Sequence, residues 1–263
     1  MPYINTKSQI DWYYKTQGQK EAILFLHGWS FDSSVWFRQL VNFHNYRIIA
    51  LDMPGHGKSG YQENIDIVED LNFIISKLKI QKINLVGHSL GGLFSLKFAL
   101  RYPKVIKKLI LISTTAKFAN SHDFNFGLEK DEINKLRSFL NDDYPNILLV
   151  FIRWLFTNNE RSQNDFRKSW NALTDKIAWP RKEAMDEFLS IIEKEDIRAS
   201  LKDLDVPTLI ISGTKDPICP MESTNYLGKQ INNSRVELFK DCGHLPFLTQ
   251  PQRFNSLVKE FLG

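Results

Sequence analysis

An α/β fold, with a mostly parallel central sheet and helices on both faces, is predicted by three features of this sequence. Short, continuously apolar runs such as 22–26 and 108–112 are typical of strands buried on both faces of a sheet. Stretches whose apolar residues follow helical spacing, such as 65–78, alternate with these runs. Dense turn signals follow several runs, most clearly at 52–59 and 87–91. The 263 residues suffice for one large domain with an insertion, or for two small domains.

Composition and charge narrow the class of protein. Hydrophobic residues make up 43% and charged residues 24% of the chain, which is ordinary for a globular protein in water. The net charge of +4 comes without a run of Lys and Arg, so no nucleic-acid partner is expected. No run approaches the roughly 18 apolar residues of a membrane helix, and the N-terminus lacks a signal-peptide pattern. We therefore expect a monomer in the cytoplasm, with Cys219 and Cys242 as reduced thiols.

Residues 1–115 contain most of the predicted strands. The strands are a first hairpin over 3–14 with a turn near Gly18, then buried strands at 22–26, 47–51, 83–86 and 108–112. The helices between them are predicted at 33–43, 65–78 and 93–102. Ser33 or Ser34 can cap the first of these helices.

The pattern changes after residue 115, because no buried strand is predicted between residues 116 and 199. Many apolar side chains there are large, and they need an apolar surface to cover. We therefore predict a core domain of residues 1–115 and 200–263, and a helical cap of residues 116–199 over the active site. The cap helices are predicted at 128–140, 144–157, 162–173 and 181–195. The core resumes with strands at 206–213 and 236–239 and a helix at 254–261.

Ser89 is the predicted nucleophile because it is the centre of a Gly-x-Ser-x-Gly motif between an apolar run and a helical pattern. A serine on such a sharp turn takes strained backbone angles. Gly87 and Gly91 let the neighbouring chain pass without a Cβ clash. The turn would raise the hydroxyl above the sheet edge and leave backbone N–H groups at a helix N-terminus. The N–H of Leu90 is therefore a predicted donor to an oxyanion.

A second oxyanion donor is predicted at His27-Gly28-Trp29, which follows a buried strand directly. The His-Gly turn lets the backbone swing over the sheet edge, so the N–H of Trp29 can face the serine.

Asp216 and His244 complete the predicted triad. Each lies in a loop after a predicted strand, and the chain order is Ser, Asp, His. His244 would act as the base and later as the acid, and Asp216 would orient its imidazole. Asp241 and Asp205 are rival acids, disfavoured because one lies three residues from His244 and the other precedes its strand.

Two polar residues of the turn cluster at 52–59 are predicted to have structural roles. Asp52 is interpreted as bracing the loop at 52–59, and His56 as a residue of that loop. Metal chemistry is not predicted, because the six histidines show no ligand spacing with Cys or carboxylates. Gly55-His56-Gly57 lacks the phosphate-loop pattern, so no cofactor is expected.

Together these motifs resemble the α/β-hydrolase superfamily over essentially the whole chain. The motifs are His27-Gly28-Trp29, the turn cluster at 52–59, Gly87-His88-Ser89-Leu90-Gly91-Gly92, Gly213-x-x-Asp216 and Gly243-His244. The length, the Ser-Leu-Gly-Gly elbow, the Phe151-centred cap stretch and 197–201 are similar to the pimeloyl-[acyl-carrier protein] methyl ester esterases of biotin synthesis. That family removes a methyl ester from a pimeloyl chain on acyl carrier protein.

The resemblance implies roles for this chain. Ser89, Asp216 and His244 match the family's triad, and Trp29 and Leu90 its oxyanion positions. It also implies an acyl-enzyme mechanism without a cofactor. Predicted substrate contacts are Trp29, Phe151, Ile152, Trp154 and Leu155, and predicted carrier-protein contacts are Arg153, Arg161, Arg167 and Lys168.

Charge supports an acidic carrier protein independently. Residues 153–182 contain seven basic and three acidic residues, an excess equal to the net charge of the whole chain. Positive charge in the cap would steer an acidic partner. Two other functions remain open: a general short-chain esterase or carbon–carbon bond hydrolase, and a receptor that binds a small ligand without turnover.

Overall fold

The computed structural model describes residues 2–174 and 178–263, and its centre is one mostly parallel sheet. The strands of the described part are β1 (Tyr3–Asn5), β2 (Asp11–Gln17), β3 (Ala22–Leu26), β4 (Arg47–Leu51), β5 (Ile83–His88), β6 (Ile106–Ile112), β7 (Thr208–Gly213) and β8 (Ser234–Phe239). Their order across the sheet is β1-β2-β4-β3-β5-β6-β7-β8. β2 pairs antiparallel with β1 and β4, and the other neighbours pair parallel. The predicted α/β class is confirmed.

Helices connect the strands and cover the sheet. They are α1 (Phe37–Asn42), α2 (Ile67–Lys77), α3 (Leu90–Arg101), α4 (Lys130–Asp142), α5 (Asn146–Trp154), α6 (Asn158–Ser162), α7 (Phe166–Thr174), α8 (Lys182–Lys194), α9 (Met221–Gln230), α10 (Pro246–Thr249) and α11 (Pro251–Leu262). Short 3₁₀ turns occur at Ser33–Trp36, Pro103–Val105 and Arg198–Asp203. α3 packs against β5 and β6, while α1 packs against α11.

The central strands are apolar because they are buried on both faces. Every residue of β3, β5 and β7 is buried. In the parallel register Leu24 of β3 lies beside Leu85 of β5, and Leu85 beside Leu109 of β6. This removal of apolar surface from water is the main stabilisation of the sheet, and it fixes which strand ends meet at the carboxyl edge.

The N-terminal hairpin differs from its prediction. Its turn lies between Thr6 and Ile10, whose backbones hydrogen-bond at 3.0 Å, and Gly18 instead begins the connection from β2 to β3. These two strands are not neighbours, since β4 lies between them. Gly18 has φ +75°, and a Cβ there would lie 2.0 Å from the carbonyl oxygen of Tyr46.

Several helix predictions also need correction. The 33–43 helix begins as a 3₁₀ turn, and Asp32 rather than Ser33 or Ser34 caps it, accepting from the N–H of Ser34 at 2.6 Å. The predicted helix over 162–173 begins later, as α7 at Phe166, because residues 163–165 are not helical, and the short helix α6 before it was not predicted as a separate helix. Helix α9 was not predicted, since its polar sequence hides a weak amphipathic pattern around Leu227.

The chain between β6 and β7 supplies α4 to α8 and no named strand in its described part. α4 packs against α8, and α7 packs on the 3₁₀ turn that precedes α1. The boundaries of the cap at residues 116 and 199 stay a prediction. Within the described ranges, no helix combines the length and apolarity that crossing a membrane requires.

Candidate active site

Ser89 lies on a sharp turn between β5 and α3. Its φ of 53° and ψ of −122° are strained for a residue with a side chain. The backbone around it is fixed, because its N–H donates to Ile112 at 2.9 Å and its carbonyl accepts from the Thr114 hydroxyl at 2.7 Å. The end of β6 therefore holds the turn that follows β5.

The two glycines of the motif are required by close approach. A Cβ on Gly87 would lie 2.3 Å from the Ser95 hydroxyl and 2.5 Å from the carbonyl oxygen of Gly91. A Cβ on Gly91 would lie 2.3 Å from the carbonyl oxygen of His27. The first helical turn of α3 thus packs directly on the chain that leaves β3.

The loop after β3 brings Trp29 close to Ser89. Gly28 separates the two chains, since a Cβ there would lie 3.1 Å from the Cβ of Ser89. Among the described residues, neither the N–H of Trp29 nor that of Leu90 has a hydrogen-bond acceptor. Both backbone donors are therefore unsatisfied within the described ranges, and their role toward an oxyanion stays a prediction.

His27 fixes this loop. Its Nε2 accepts from the N–H of Met53 at 2.9 Å, so the proton of the neutral ring is on Nδ1, which donates to the carbonyl oxygen of Gly28 at 2.8 Å. Burial lowers the pKa of His27, which keeps the ring neutral. A neutral ring preserves both hydrogen bonds, which join Gly28 to Met53 through the imidazole.

The structure brings His244 and Asp216 together. His244 Nδ1 lies 2.8 Å from both carboxylate oxygens of Asp216, and both side chains are almost fully buried. The carboxylate oxygen Oδ1 also accepts from the N–H groups of Ile218 and Cys219, each at 2.9 Å. Asp216 is thereby held in one orientation, and it aligns the imidazole.

His88 connects the serine turn to the histidine loop. Its Nε2 donates to the carbonyl oxygen of His244 at 3.0 Å, and the two rings lie 4.8 Å apart. Burial lowers the pKa of His88 well below its usual value, and His244 adds to this effect. Since His88 directly precedes Ser89, this bond places the loop of His244 next to the nucleophile.

The histidine loop also contacts the helical segment above it. The N–H of His244 donates to the carbonyl oxygen of Leu155 at 2.9 Å. The N–H of Gly243 donates to the carboxylate of Glu160, whose oxygens lie 3.1 and 3.2 Å away. Leu155 at the end of α5 and Glu160 of α6 therefore contact the loop of the predicted base.

The predicted substrate residues do not share one environment. Trp29 and Phe151 meet edge to face with ring centroids 4.8 Å apart, and the indole N–H of Trp29 donates to Met185 of α8 at 3.0 Å. Ile152 and Leu155 are fully buried. Trp154 is 38% exposed, although its ring lies 6.3 Å from that of Phe151. Contact of these residues with a substrate stays a prediction.

Asp52 and His56 have structural surroundings. The Asp52 carboxylate accepts from the N–H groups of Ser33 and Lys58 at 2.7 and 2.8 Å, which braces the loop as expected. His56 donates from Nδ1 to Pro54 at 3.0 Å and stacks on Phe188. Burial lowers the pKa of His56 to about 3.

The rival acids lie at the surface. Asp205 and Asp241 are both exposed, whereas Asp216 is 6% exposed. Among the described residues, Asp216 is the one acid that hydrogen-bonds to the ring of His244.

Both cysteines are buried, free and close to the triad loops. Burial raises the pKa of the Cys219 thiol, and the nearby Asp216 carboxylate raises it further. Donor atoms of Asp216, Cys219 and His244 lie within 4.8 Å of one another. These atoms fit a metal poorly, because a thiol that resists deprotonation is a weak ligand and Asp216 already holds His244.

The basic residues predicted to contact a carrier protein are free of ion pairs within the described ranges. Arg153, Arg167 and Lys168 are exposed, while Arg161 is half-buried and hydrogen-bonds to Asn158. The acids of this stretch are partly hidden, since Glu160 is buried and Asp165 pairs with Arg38. Asp175 and Lys176, counted in the charge balance, lie outside the described residues.

Within the predicted cap, the excess of basic over acidic residues lies in residues 153–182. Residues 116–199 as a whole contain 13 basic and 15 acidic residues, so the cap is not basic throughout. The expectation of a positively charged cap is therefore wrong for the whole segment. It applies to residues 153–182, because the rest of the segment contains 12 acidic and six basic residues.

Three buried residues around the site were not assigned contacts from the sequence: His27, His88 and Glu160. For Glu160 a signal exists, since Thr157-x-x-Glu160 is a capping-box pattern and the structure forms that box. The pattern marks a helix start. It carries no information about Gly243, which is 83 residues away.

Known proteins resemble this chain in sequence and in structure. The model of the alpha/beta hydrolase fold family matches residues 21–251. The pimeloyl-[acyl-carrier protein] methyl ester esterase of Nitrosospira multiformis is 27% identical over 261 residues, covering 96% of this chain and 98% of that protein. Its namesake from Wigglesworthia glossinidia brevipalpis is 28% identical over 243 residues, covering 91% and 93%.

A solved structure also resembles this chain over nearly its whole length. An esterase from Exiguobacterium antarcticum superposes with a TM-score of 0.90 at 27% identity, covering 99% of both chains. The two resemblances inferred from the motifs, to the superfamily and to the methyl ester esterases, are confirmed by these similarities.

Proposed function

The chain belongs to the alpha/beta hydrolase fold family, and from this premise we propose that it is a serine carboxylesterase acting through an acyl-enzyme. The names of its relatives support the enzyme class, a carboxylic ester hydrolase. One observation carries the serine mechanism: the buried Asp216–His244 pair, with both contacts at 2.8 Å, lies in the loop bonded to the residue before Ser89.

In the first half of the reaction, Ser89 Oγ attacks the ester carbonyl while Nε2 of His244 takes the hydroxyl proton. The negative charge that forms on the carbonyl oxygen is held by the N–H groups of Trp29 and Leu90. When the tetrahedral intermediate collapses, His244 returns the proton to the departing alkoxide. An alcohol leaves and the acyl group stays on Ser89.

In the second half, water replaces the alcohol. His244 takes a proton from water, the resulting hydroxide attacks the acyl-enzyme, and the same backbone donors hold the oxyanion. Collapse breaks the bond to Ser89, which recovers its proton from His244. Asp216 stabilises the charged imidazole in both halves. The product is a free carboxylic acid.

The proposed substrate is the methyl ester of a pimeloyl chain on acyl carrier protein. Two relatives carry that name. Arg153, Arg167 and Lys168, which are exposed and have no ion-pair partner among the described residues, support an acidic partner, because they lie on the helical segment that also contacts the histidine loop. The cytoplasmic location and the monomeric state stay predictions.

Methanol release from this ester tests the proposal. Wild-type protein should release methanol, and Ser89→Ala should lower kcat by about 10⁶ without changing the fold. Ser113→Ala is a matched control, because Ser113 also follows a strand at the carboxyl edge and its buried hydroxyl has no partner among the described residues. Equal turnover by wild type and Ser89→Ala would refute the serine mechanism, and absence of turnover on any ester would favour the receptor.

Charge reversal tests the carrier-protein part separately. Replacing Arg153, Arg167 and Lys168 with Glu should raise KM for the carrier-bound ester and weaken its salt dependence. The matched control reverses Lys20, Lys82 and Lys104, exposed residues just before β3, β5 and β6 at the opposite edge of the sheet.

The same measurement distinguishes a general esterase from an esterase that acts on the carrier-bound ester. If both triple variants and wild type treat the carrier-bound ester alike, and p-nitrophenyl acetate turns over faster than that ester, the narrow substrate is wrong. The serine carboxylesterase then stands without it.

A further inference from the structure

The loop that contains the proposed base is held from the helical segment above it. Two consecutive backbone N–H groups, of Gly243 and His244, donate to Glu160 and to the carbonyl oxygen of Leu155. A Cβ on Gly243 would lie 2.4 Å from that carbonyl oxygen, so the two chains touch without room for a side chain. The position of His244 therefore depends on a segment outside the sheet.

Glu160 is a buried acid without an ion-pair partner among the described residues, and its side chain is fixed from two sides. It is 5% exposed. Its Oε2 accepts from the N–H of Thr157 at 2.8 Å, and the hydroxyl of Thr157 accepts from its N–H at 3.1 Å. This capping box leaves the carboxylate directed at Gly243.

Helix capping alone does not explain this burial. A buried carboxylate loses its hydration, and hydrogen bonds must compensate for that loss. Capping needs no burial, as the second capping box of this chain shows: Glu132 performs the same task for Glu129, at 2.9 Å, on the wetter helix α4. The feature that distinguishes Glu160 is its contact with the histidine loop.

We propose that Glu160 is a positioning residue for His244, the base of the serine esterase function on which this inference rests. Its carboxylate holds Gly243 from the cap side, while His88 holds the carbonyl oxygen of His244 from the serine side at 3.0 Å. The backbone of His244 is thereby held from two sides, while its Nδ1 lies 2.8 Å from the Asp216 carboxylate. Displacement of a reacting group by about 1 Å lowers rates by about 10²-fold, so loss of this bond affects turnover more than substrate binding.

Kinetics of Glu160→Ala, with Glu132→Ala as the matched control, test the proposal. Both changes remove the glutamate of a capping box, whereas one of them also removes the contact with Gly243. With p-nitrophenyl acetate we expect Glu160→Ala to lower kcat by about 10²-fold with little change in KM. Glu132→Ala should keep the wild-type kcat, even where it lowers the melting temperature.

Glu160→Gln keeps the shape and decides the question if the alanine variant does not fold. Its amide oxygen can replace Oε2 and accept from Thr157 at 2.8 Å and from Gly243 at 3.1 Å, but its NH₂ group then replaces Oε1, 3.2 Å from the same Gly243 N–H, and opposes that donor. We expect a kcat about tenfold below wild type, the consequence of one impaired hydrogen bond.

A second readout separates positioning from effects on ester binding. Diisopropyl fluorophosphate phosphorylates an activated serine: a bond forms between Ser89 Oγ and phosphorus, the phosphorus–fluorine bond breaks, and the Ser89 proton passes to His244. Its rate of inactivation should fall in parallel with kcat across the Glu160 variants, because the reagent needs the same Ser89–His244 pair.

Distinct results contradict this inference and the proposed function. Wild-type kcat in Glu160→Gln, or an equal loss of kcat in Glu160→Ala and Glu132→Ala, would overturn the positioning role. If the wild-type protein hydrolyses no ester and also resists the fluorophosphate, the proposed esterase function itself is contradicted.

Discussion

Ser89, Asp216 and His244 lie in loops at the carboxyl ends of parallel strands, whereas Phe151, Glu160 and the other groups above them come from the helical segment between β6 and β7. The strand ends are tied to one another by backbone hydrogen bonds, such as that from Ser89 to Ile112 at 2.9 Å. The helical segment reaches the site through a few side-chain and carbonyl contacts.

The strand ends contribute the proposed reacting groups, whereas the helical segment contributes contacts that position them. The sheet fixes the reacting groups because a parallel ladder leaves little freedom at its edge. The helical segment contributes a carbonyl oxygen and a carboxylate to the histidine loop, and α8 accepts from the indole of Trp29. Changes at the strand ends should therefore abolish turnover, and changes above them should modulate it.

The largest expected effect is at Asp216. Asp216→Asn should lower kcat by about 10⁴, because an amide no longer stabilises the charged imidazole or holds its correct tautomer. Ester hydrolysis by the purified variant measures this. Asp241→Asn, an exposed change three residues before His244, is the control and should be silent. A loss at Asp241 that matches the loss at Asp216 would reverse the assignment of the acid.

The next effect concerns the packing of the serine turn. Gly91→Ala would put a Cβ 2.3 Å from the carbonyl oxygen of His27, so we expect a loss of about 1–3 kcal/mol in the free energy of unfolding. Activity should fall as well, since the turn must move. Gly60→Ala is the control, because its nearest contact would be 3.4 Å. Equal denaturant midpoints for the two variants would show that the turn is less tightly packed than the strand ends require.

His56 lies where the loops of the sheet meet α8. Because its imidazole is buried, we expect the stability of the protein to depend on pH. Burial lowers its pKa to about 3, while the unfolded ring titrates near its usual value of 6.5. Between these values the unfolded chain binds more protons, so the free energy of unfolding falls as the pH falls below about 6.5. The loss by pH 5 should be about 2 kcal/mol from this group.

Denaturation at several pH values checks this. His56→Gln should flatten the decline between pH 6.5 and 5 by about 2 kcal/mol. His122→Gln should leave it unchanged, since the side chain of His122 is 95% exposed. A decline of the same steepness in wild type and His56→Gln would mean that other buried groups set the acid limit. His27 and His88, whose pKa values burial also lowers, would then be examined next.

The smallest effect concerns the direct link between the two regions. Trp29→Phe removes the indole N–H that donates to Met185 at 3.0 Å, and it should cost about 1 kcal/mol of stability. The backbone N–H of residue 29 is retained, so kcat should change little. Trp154→Phe, at an exposed position of α5, serves as control. A large fall in kcat for Trp29→Phe would show that the helices fix the oxyanion donors as firmly as the sheet does.

Strands were predicted well because their signal is local. A continuous apolar run such as that of β3 or β6 follows from burial on both faces, and a short run leaves little choice of boundaries. The hairpin turn predicted near Gly18 was wrong, because β4 lies between β2 and β3 in the sheet. This pairing could not be predicted, since β4 comes from farther along the chain. Helix α9 escaped because only part of one face is buried.

The residues of the triad could be predicted because each needs a particular residue type at a strand end. The flanking glycines indicate Ser89, and the chain order Ser, Asp, His indicates Asp216 and His244. The supports of these residues were not found. Glu160 and Leu155 reach the histidine loop across the fold, and their sequences signal only a helix start and a buried apolar side chain. Contacts of this kind leave no mark within a sequence window.

The two buried sulfur atoms have a practical consequence. Burial raises the pKa of Cys219 and of Cys242, and neither side chain is accessible in the folded protein. A maleimide dye at neutral pH would therefore label the chain only when the fold opens. The molecule carries an internal reporter of its own global opening, and the labelling rate could be followed without engineering a probe.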